Sequence, residues 1–232
     1  MSGKGKQNDL PVEFGVFDRQ THTDQHLRKL PHWFQPGVAM FITFRTKDSM
    51  PKAVVKTWRD EILQWMLKEG LAQPGLEISD QWDELPDIDS IPQNLRAKFY
   101  KLKSQGWHRR LDQCHGSCVL RDPILAHIVS DTLKFFDGDR YDLASFIVMP
   151  NHVHILVQFR DDVSLTKQTE SWLRFSARQI NEQLNQTGPF WQSEPFDHLV
   201  RSDEQFVYLS DYVRNNPTKA GLKEGEYLLY ER

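Results

Sequence analysis

Cysteine is nearly absent. Only Cys114 and Cys118 occur among 232 residues, which leaves no disulfide framework and makes a reducing compartment the expectation. No apolar run approaches the roughly 20 residues that cross a bilayer. The first residues, Met1-Ser-Gly-Lys-Gly-Lys, lack the hydrophobic segment of a secretory signal. Together these absences predict a cytoplasmic chain with no membrane partner. An excess of positive charge is missing as well. A formal net charge of −3 argues against indiscriminate coating of nucleic acid, so any such binding must come from local clusters. The short Cys114-His-Gly-Ser-Cys118 stretch invites a zinc reading, but structural zinc needs four ligands and no matching second pair exists in the sequence. The two thiols are therefore read as structural or incidental.

What is abundant is aromatic and aliphatic bulk. Fourteen Phe, seven Trp and a hydrophobic content of 39% can fill one large core. The domain reading is a polar N-terminal tail over 1–30, followed by a single domain over 31–232 with an insertion at about 71–121. The insertion is marked by segregated charge. Six acids (Glu77, Asp80, Asp83, Glu84, Asp87, Asp89) precede six bases (Arg96, Lys98, Lys101, Lys103, Arg109, Arg110), with Phe99, Tyr100 and Trp107 among the latter. Bases interleaved with aromatics suit phosphates and stacked nucleobases. Arg96, Lys98, Lys101, Lys103, Trp107, Arg109 and Arg110 are accordingly the candidate DNA-binding residues. A solvated helix face accounts for charge alone equally well.

Elsewhere the periodicities alternate cleanly. Strand formers run from Val38 to Arg45, and helical spacing of Val54, Val55, Trp58, Ile62, Trp65 and Met66 predicts a helix over 52–69. The insertion is expected to be helical around 93–104. Asp122-Pro123 is a good helix start, and the helix it opens should end at Asp137-Gly138. Strands are predicted over 141–148 and 152–159, a helix over 168–186, and an irregular strand within 190–200 interrupted by Pro195. Ser202 with Gln205 forms a capping box for a last helix expected to stop near Asn215, because Pro217 disfavours helical geometry at the residue before it. This order gives an α+β, ferredoxin-like (split βαβ) fold: an antiparallel sheet with helices on one face and the second face free for ligand, plus a closing C-terminal helix and the inserted segment.

The chemistry-bearing residues fall at two places. In Met149-Pro-Asn-His-Val-His-Ile-Leu-Val157, strand alternation puts His152 and His154 on one face, roughly 6–7 Å apart along the backbone, while Val153, Ile155, Val157 and Phe159 face the core. Two imidazoles on one rigid face can hold a divalent metal, although such pairs also occur as ordinary strand residues. In Tyr212-Val-Arg-Asn-Asn216, Phe206, Leu209 and Val213 form the buried stripe. Tyr212 and Asn216 lie one turn apart at its margin. The Asn216 amide oxygen is a hard ligand suited to Mg²⁺ or Mn²⁺.

Taken together, Met149-Pro-Asn-His-Val-His, then Gly188-Pro-Phe-Trp-Gln with Phe196-Asp-His, then Tyr212-Val-Arg-Asn-Asn-Pro-Thr-Lys-Ala-Gly-Leu222, closely resemble the REP-associated tyrosine transposases. These belong to the single-tyrosine HUH endonucleases. The resemblance runs from about Leu30 to the C-terminus. It implies that Tyr212 is the nucleophile and that His152, His154 and Asn216 hold a divalent metal, Mg²⁺ or Mn²⁺. The implied substrate is single-stranded or hairpin DNA, cleaved through a 5′-phosphotyrosine intermediate. The enzyme would be a monomer or a homodimer. Tyr208 is the alternative nucleophile, and His198 reads as lining the site. Two other functions remain open at this point: a domesticated hairpin-binding protein without cleavage, and a hydrolase that activates water on zinc. The long insertion has no counterpart in the family pattern.

Overall fold

A computed structural model describes residues 12–27, 31–73 and 88–232, with side chains described outside 24–32. Residues 1–11 and 28–30 of the expected tail, and the acids from Glu77 to Asp87, lie outside these residues. A two-stranded antiparallel ribbon, β1 (Asp24–Leu27) and β2 (Pro31–Phe34), precedes β3 (Ala39–Arg45). Then come α1 (Lys52–Lys68), α2 (Gln93–Tyr100), α3 (Gly106–Leu111), α4 (Pro123–Lys134), β4 (Tyr141–Val148) and β5 (His152–Phe159). The chain closes with α5 (Leu165–Gln183), β6 (Phe196–Leu199), α6 (Asp203–Lys219) and β7 (Leu228–Glu231).

The five-stranded sheet has the order β6-β3-β5-β4-β7, every pair antiparallel. Without β7, the order is that of the split βαβ fold: its last strand beside its first, then its third, then its second. The expected α+β architecture is therefore the one observed, with β7 as an addition at the β4 edge.

Alternation along the strands builds two different faces. Met40, Ile42 and Phe44 of β3, with Val153, Ile155, Val157 and Phe159 of β5, pack under α4 and α5 in the main core. Its large aromatics have their polar tips satisfied. Trp172 Nε1 donates to Tyr141 Oη (3.0 Å), which donates to the Leu133 carbonyl (2.7 Å), tying α5, β4 and α4 together. The opposite face carries Ala39, Phe41, Ile147, Met149 and Leu156, and α6 lies on it through Leu209 and Val213.

Local signals explain the helix ends. Asp122 accepts from the Ile124 N–H at 2.9 Å, with Pro123 in the first turn. Ser202 Oγ accepts from Gln205 N–H, while the Gln205 side chain reaches back to the Arg201 N–H rather than to that of Ser202. α5 starts at Leu165, earlier than expected, because Ser164 serves as its N-cap. α6 also runs past its predicted stop near Asn215 to Lys219, with Pro217 inside it. The proline removes one N–H bond. Against that loss, Asn216 and Pro217 are buried, and the Asn216 and Pro217 carbonyls accept from Ala220 and Leu222.

The helices from 52 to 111 form a satellite. Trp58, Ile62, Trp65 and Met66 of α1 pack on Ile91 and Phe99, so α1 covers the inserted helices and not the sheet. Helical backbone is nearly continuous from 93 to 111, beyond the expected 93–104, with one wider turn at Lys101–Gln105. Gly106 lets α3 approach α1 closely: a Cβ there would sit 3.1 Å from Trp58 Nε1, and the indole would have to yield by a few tenths of an ångström. The return loop is pinned back to the sheet. Ser117 N–H donates to Asp48 (2.7 Å), and Leu120 N–H donates to the Pro150 carbonyl (3.1 Å).

Candidate active site

β5 sets the two histidines. His152 lies opposite Arg45 and His154 opposite Thr43 in the β3 register, and both imidazoles are fully buried on the face covered by α6. Each ring is oriented through Nδ1. Asn151 Nδ2 donates to the His115 carbonyl (2.8 Å), so its Oδ1 is the atom facing His152 Nδ1 (2.8 Å). An acceptor in that position requires the proton on Nδ1 and leaves a bare lone pair on Nε2. His154 Nδ1 is held by Thr43 Oγ1 at 2.7 Å, and its ring stacks on Phe41. Burial, reinforced by neighbouring imidazoles, pulls His152 down to about 3 and His154 well below the usual range. At neutral pH both are uncharged, the form in which histidine binds metal.

From the other side, α6 delivers Tyr212 and Asn216. Tyr212 Oη lies 3.5 Å from His154 Nε2, and the phenol ring meets Phe41 edge-on. Both partners come from one chain. Burial and the nearby Asp112 carboxylate push the phenol well above its ordinary value, so it is protonated at rest. Asn216 is fully buried. Its Nδ2 points to Asp112 Oδ1 (3.4 Å), and its Oδ1 has no hydrogen-bond partner. Tyr208 is 64% exposed and so faces away from this enclosure. His198, opposite Phe41 in the β6–β3 register, tilts against that ring.

The inserted helix supplies residues that the motifs do not contain. His108 and Asp112 are four positions apart, so α3 and its C-terminal cap present both on one side. His108 approaches His154 and Tyr212, with ring centroids 6.2 and 6.5 Å away, and burial draws it down to about 4. Asp112 Oδ1 stands 3.6 Å from His152 Nε2. With His152 neutral this is not an ion pair; two acceptors face each other. Burial raises Asp112 to about 6, against the Asn216 hydrogen bond and the Lys219 charge, which oppose the shift. Asp112, His152 and His154 each offer a ligand atom within 4.8 Å of the others, and no other such trio of His, Cys, Asp or Glu occurs among the described residues. The i, i+4 pair His108 and Asp112, at the end of the basic block, is the available sequence signal for this contribution.

The atom inventory fits a divalent cation. His152 Nε2 and Asn216 Oδ1 are buried acceptors without donors, a costly state unless something positive satisfies them. Bonds of about 2.0–2.2 Å to such an ion separate two ligand atoms by at most about 4.4 Å. The ligand atoms of Asp112, His152 and His154 lie within 4.8 Å of one another, only slightly wider.

The basic block is less uniform than its sequence suggests. Arg110 is buried, donating to Glu61 (2.5 Å) and to the Gly106 carbonyl (3.0 Å), so it stabilises the satellite and presents no charge to a ligand. Trp107 packs on Trp58 and carries Arg45 over its ring at 5.0 Å. Arg96 bonds to Ile91 and Asp89, Lys98 pairs with Glu69, and Lys103 lies over Phe99. Lys101 is exposed, as is Arg109, which reaches Glu61 only at 3.8 Å. Cys114 and Cys118 are free thiols. Cys118 donates to the Cys114 carbonyl, and burial pushes the Cys114 thiol up to about 12. Neither joins a cluster of metal-ligating side chains among the described residues.

Comparison with known proteins finds similarity to one transposase family. Residues 118–216, spanning both histidines, Tyr212 and Asn216, match the family model described as "Transposase IS200 like". More narrowly, the chain is 29% identical over 94 residues to a Haemophilus influenzae protein whose name assigns it provisionally to the REP-associated tyrosine transposases. That alignment covers 36% of this chain and about half (53%) of the relative. An uncharacterized protein of the same organism is 18% identical over 164 residues, covering 53% of this chain and 87% of the relative. A solved structure of a REP-associated tyrosine transposase bound to a REP hairpin aligns with 85% of this chain and 77% of its own at 12% identity, with a TM-score of 0.43. The family resemblance drawn from the motifs is the one these comparisons find. Among the described residues no helix is long and apolar enough to cross a membrane.

Proposed function

We propose that this chain is a metal-dependent single-stranded DNA endonuclease and strand transferase that cleaves hairpin-associated DNA through a 5′-phosphotyrosine intermediate. One observation carries the reading. A phenolic oxygen lies 3.5 Å from an oriented imidazole, beside two buried acceptors that have no donor. His152, His154 and Asn216 would hold Mg²⁺ or Mn²⁺, which when bound polarises a phosphate oxygen and offsets transition-state charge.

The remaining steps belong to the protein's own residues. Asn151 and Thr43 fix the imidazoles, and α6 holds Tyr212 Oη at the edge of the site. Oη forms a bond to phosphorus, the bond from phosphorus to the 3′ oxygen breaks, and the released 3′ oxygen takes up a proton to become a hydroxyl. The phenolic proton must leave, and with His154 Nε2 committed to the ion, the Asp112 carboxylate beside the phenol is the group left to take it. The covalent link conserves the phosphodiester bond, so rejoining needs no external energy source.

Incubating the protein with a single-stranded hairpin oligonucleotide and Mn²⁺ should yield a denaturation-resistant protein–DNA adduct. Cleavage without an adduct would favour a hydrolase that activates water. Tight binding without cleavage would favour a domesticated hairpin binder.

The exposed end of the basic block is the proposed grip on flanking phosphates. Lys101→Ala combined with Arg109→Ala should lower the slope of log affinity against log salt by about 1.5, since each lost phosphate contact on a single strand or duplex removes about 0.7–0.9. A slope equal to that of the unaltered protein would take this surface out of the interface.

A further inference from the structure

We infer that Asp112, carried by the inserted helices, is an additional metal ligand that gives this site an anionic oxygen beyond the two histidines and Asn216. The inference rests on the proposed metal-dependent reading and extends it to a residue outside the recognised motifs.

Three observations carry it. First, Asp112 Oδ1 faces His152 Nε2 at 3.6 Å. The Nδ1 proton of His152 is already committed to Asn151, so these two atoms are both acceptors, and nothing in the protein bridges them. A cation between two facing acceptors turns a repulsive approach into coordination. Second, the Asn216 amide donates its N–H to the same carboxylate oxygen and leaves its own oxygen bare and buried. Asn216 and Asp112 therefore touch through the amide N–H, and the buried amide oxygen is left for a ligand that neither side chain supplies. Third, Asp112 is placed rigidly. It caps α3, whose Gly106 seats against Trp58, and the following loop is tied down by Asn151 to His115 and by Asp48 to Ser117.

Asn151 therefore has two duties: its oxygen orients one ligand, and its amide hydrogens anchor the loop that follows another. Such outer contacts hold ligands in place with little residual freedom. Adding a carboxylate to two imidazoles and an amide hardens the site toward oxygen-loving Mg²⁺ and Mn²⁺. It also makes the inserted helices part of the catalytic centre.

The test is Mn²⁺ affinity of the full chain without DNA, by electron paramagnetic resonance titration. Asp112→Asn keeps the shape and the oxygen that accepts from Asn216, and should weaken Mn²⁺ binding at least tenfold. Asp112→Cys should raise the preference for Cd²⁺ over Mn²⁺ by at least tenfold, a switch that a merely structural carboxylate would not produce. Mn²⁺ affinity in Asp112→Asn within twofold of the unaltered chain, with binding lost in His152→Ala, would overturn the role of Asp112 and leave the proposed function standing. Failure of the unaltered chain to bind Mn²⁺ at millimolar concentration would overturn both.

Discussion

Replacing Tyr212 with phenylalanine should abolish the protein–DNA adduct and lower strand cleavage by about four orders of magnitude or more, the usual cost of deleting a nucleophile. The substitution removes a single oxygen. The ring keeps its contacts with Phe41 (5.9 Å), His154 (5.2 Å) and the Lys219 ammonium over its face (5.2 Å). The hydroxyl's contact to His154 is long at 3.5 Å, and a protonated phenol in an enclosed, partly apolar site contributes little to folding. Stability should therefore change by less than about 1 kcal/mol. Hairpin affinity should hold within about threefold, because the proposed phosphate grip, Lys101 and Arg109, does not include Tyr212. The covalent product retains the 5′ phosphate of the downstream fragment, so the oligonucleotide must be labelled at its 3′ end for the adduct to be visible on a denaturing gel. A band of undiminished intensity from Tyr212→Phe would move the nucleophile to another residue. Tyr208, exposed on the same helix, would be the first to examine.

How much of this was legible in the sequence depends on how far apart the cooperating residues are. The strand alternation of His152-Val-His154 and the helical spacing of Tyr212 and Asn216 are local patterns. The backbone periods alone place each pair on one face, and the fold then brings the two faces together as the family motifs imply. The strand order followed from hydrophobic runs and caps such as Asp122-Pro123 and Ser202. Other features depend on contacts remote in sequence. Asp112 meets His152 across 40 positions and Asn216 across 104, and no periodicity encodes that meeting. Arg110 looked identical to Arg109 in the charge run, yet one is buried against Glu61 and the other is exposed. Only the packing of α3 on α1 tells them apart. The stop expected before Pro217 failed for a related reason. Burial of Asn216 and Pro217 on the sheet outweighs a local preference worth only a few kcal/mol. Misreadings thus cluster where tertiary burial overrides local chemistry, and they adjoin the site itself.

His152→Ala should produce the second largest loss, about three orders of magnitude in cleavage, because several kcal/mol of charge stabilisation depend on the ion it helps to hold. His152 is a sharper probe than His154. Its Nε2 has no hydrogen-bond partner, whereas that of His154 meets the Tyr212 hydroxyl. The thermal transition separates loss of the ion from loss of the fold. Saturation of a native-state site at a hundred times its dissociation constant adds about 2.7 kcal/mol, which for a chain of this size corresponds to a rise in Tm of roughly 5–10 °C. Unaltered protein should show that rise on adding Mn²⁺. His152→Ala should melt at the same temperature with and without the ion, below the metal-free parent because a buried ring has become a cavity. If the variant kept the Mn²⁺-dependent rise and cleaved within tenfold of the parent, a cation at the paired imidazoles could not be what the buried acceptors are arranged to hold. The unpaired Nε2 of His152 and Oδ1 of Asn216 would then have to be satisfied by the DNA.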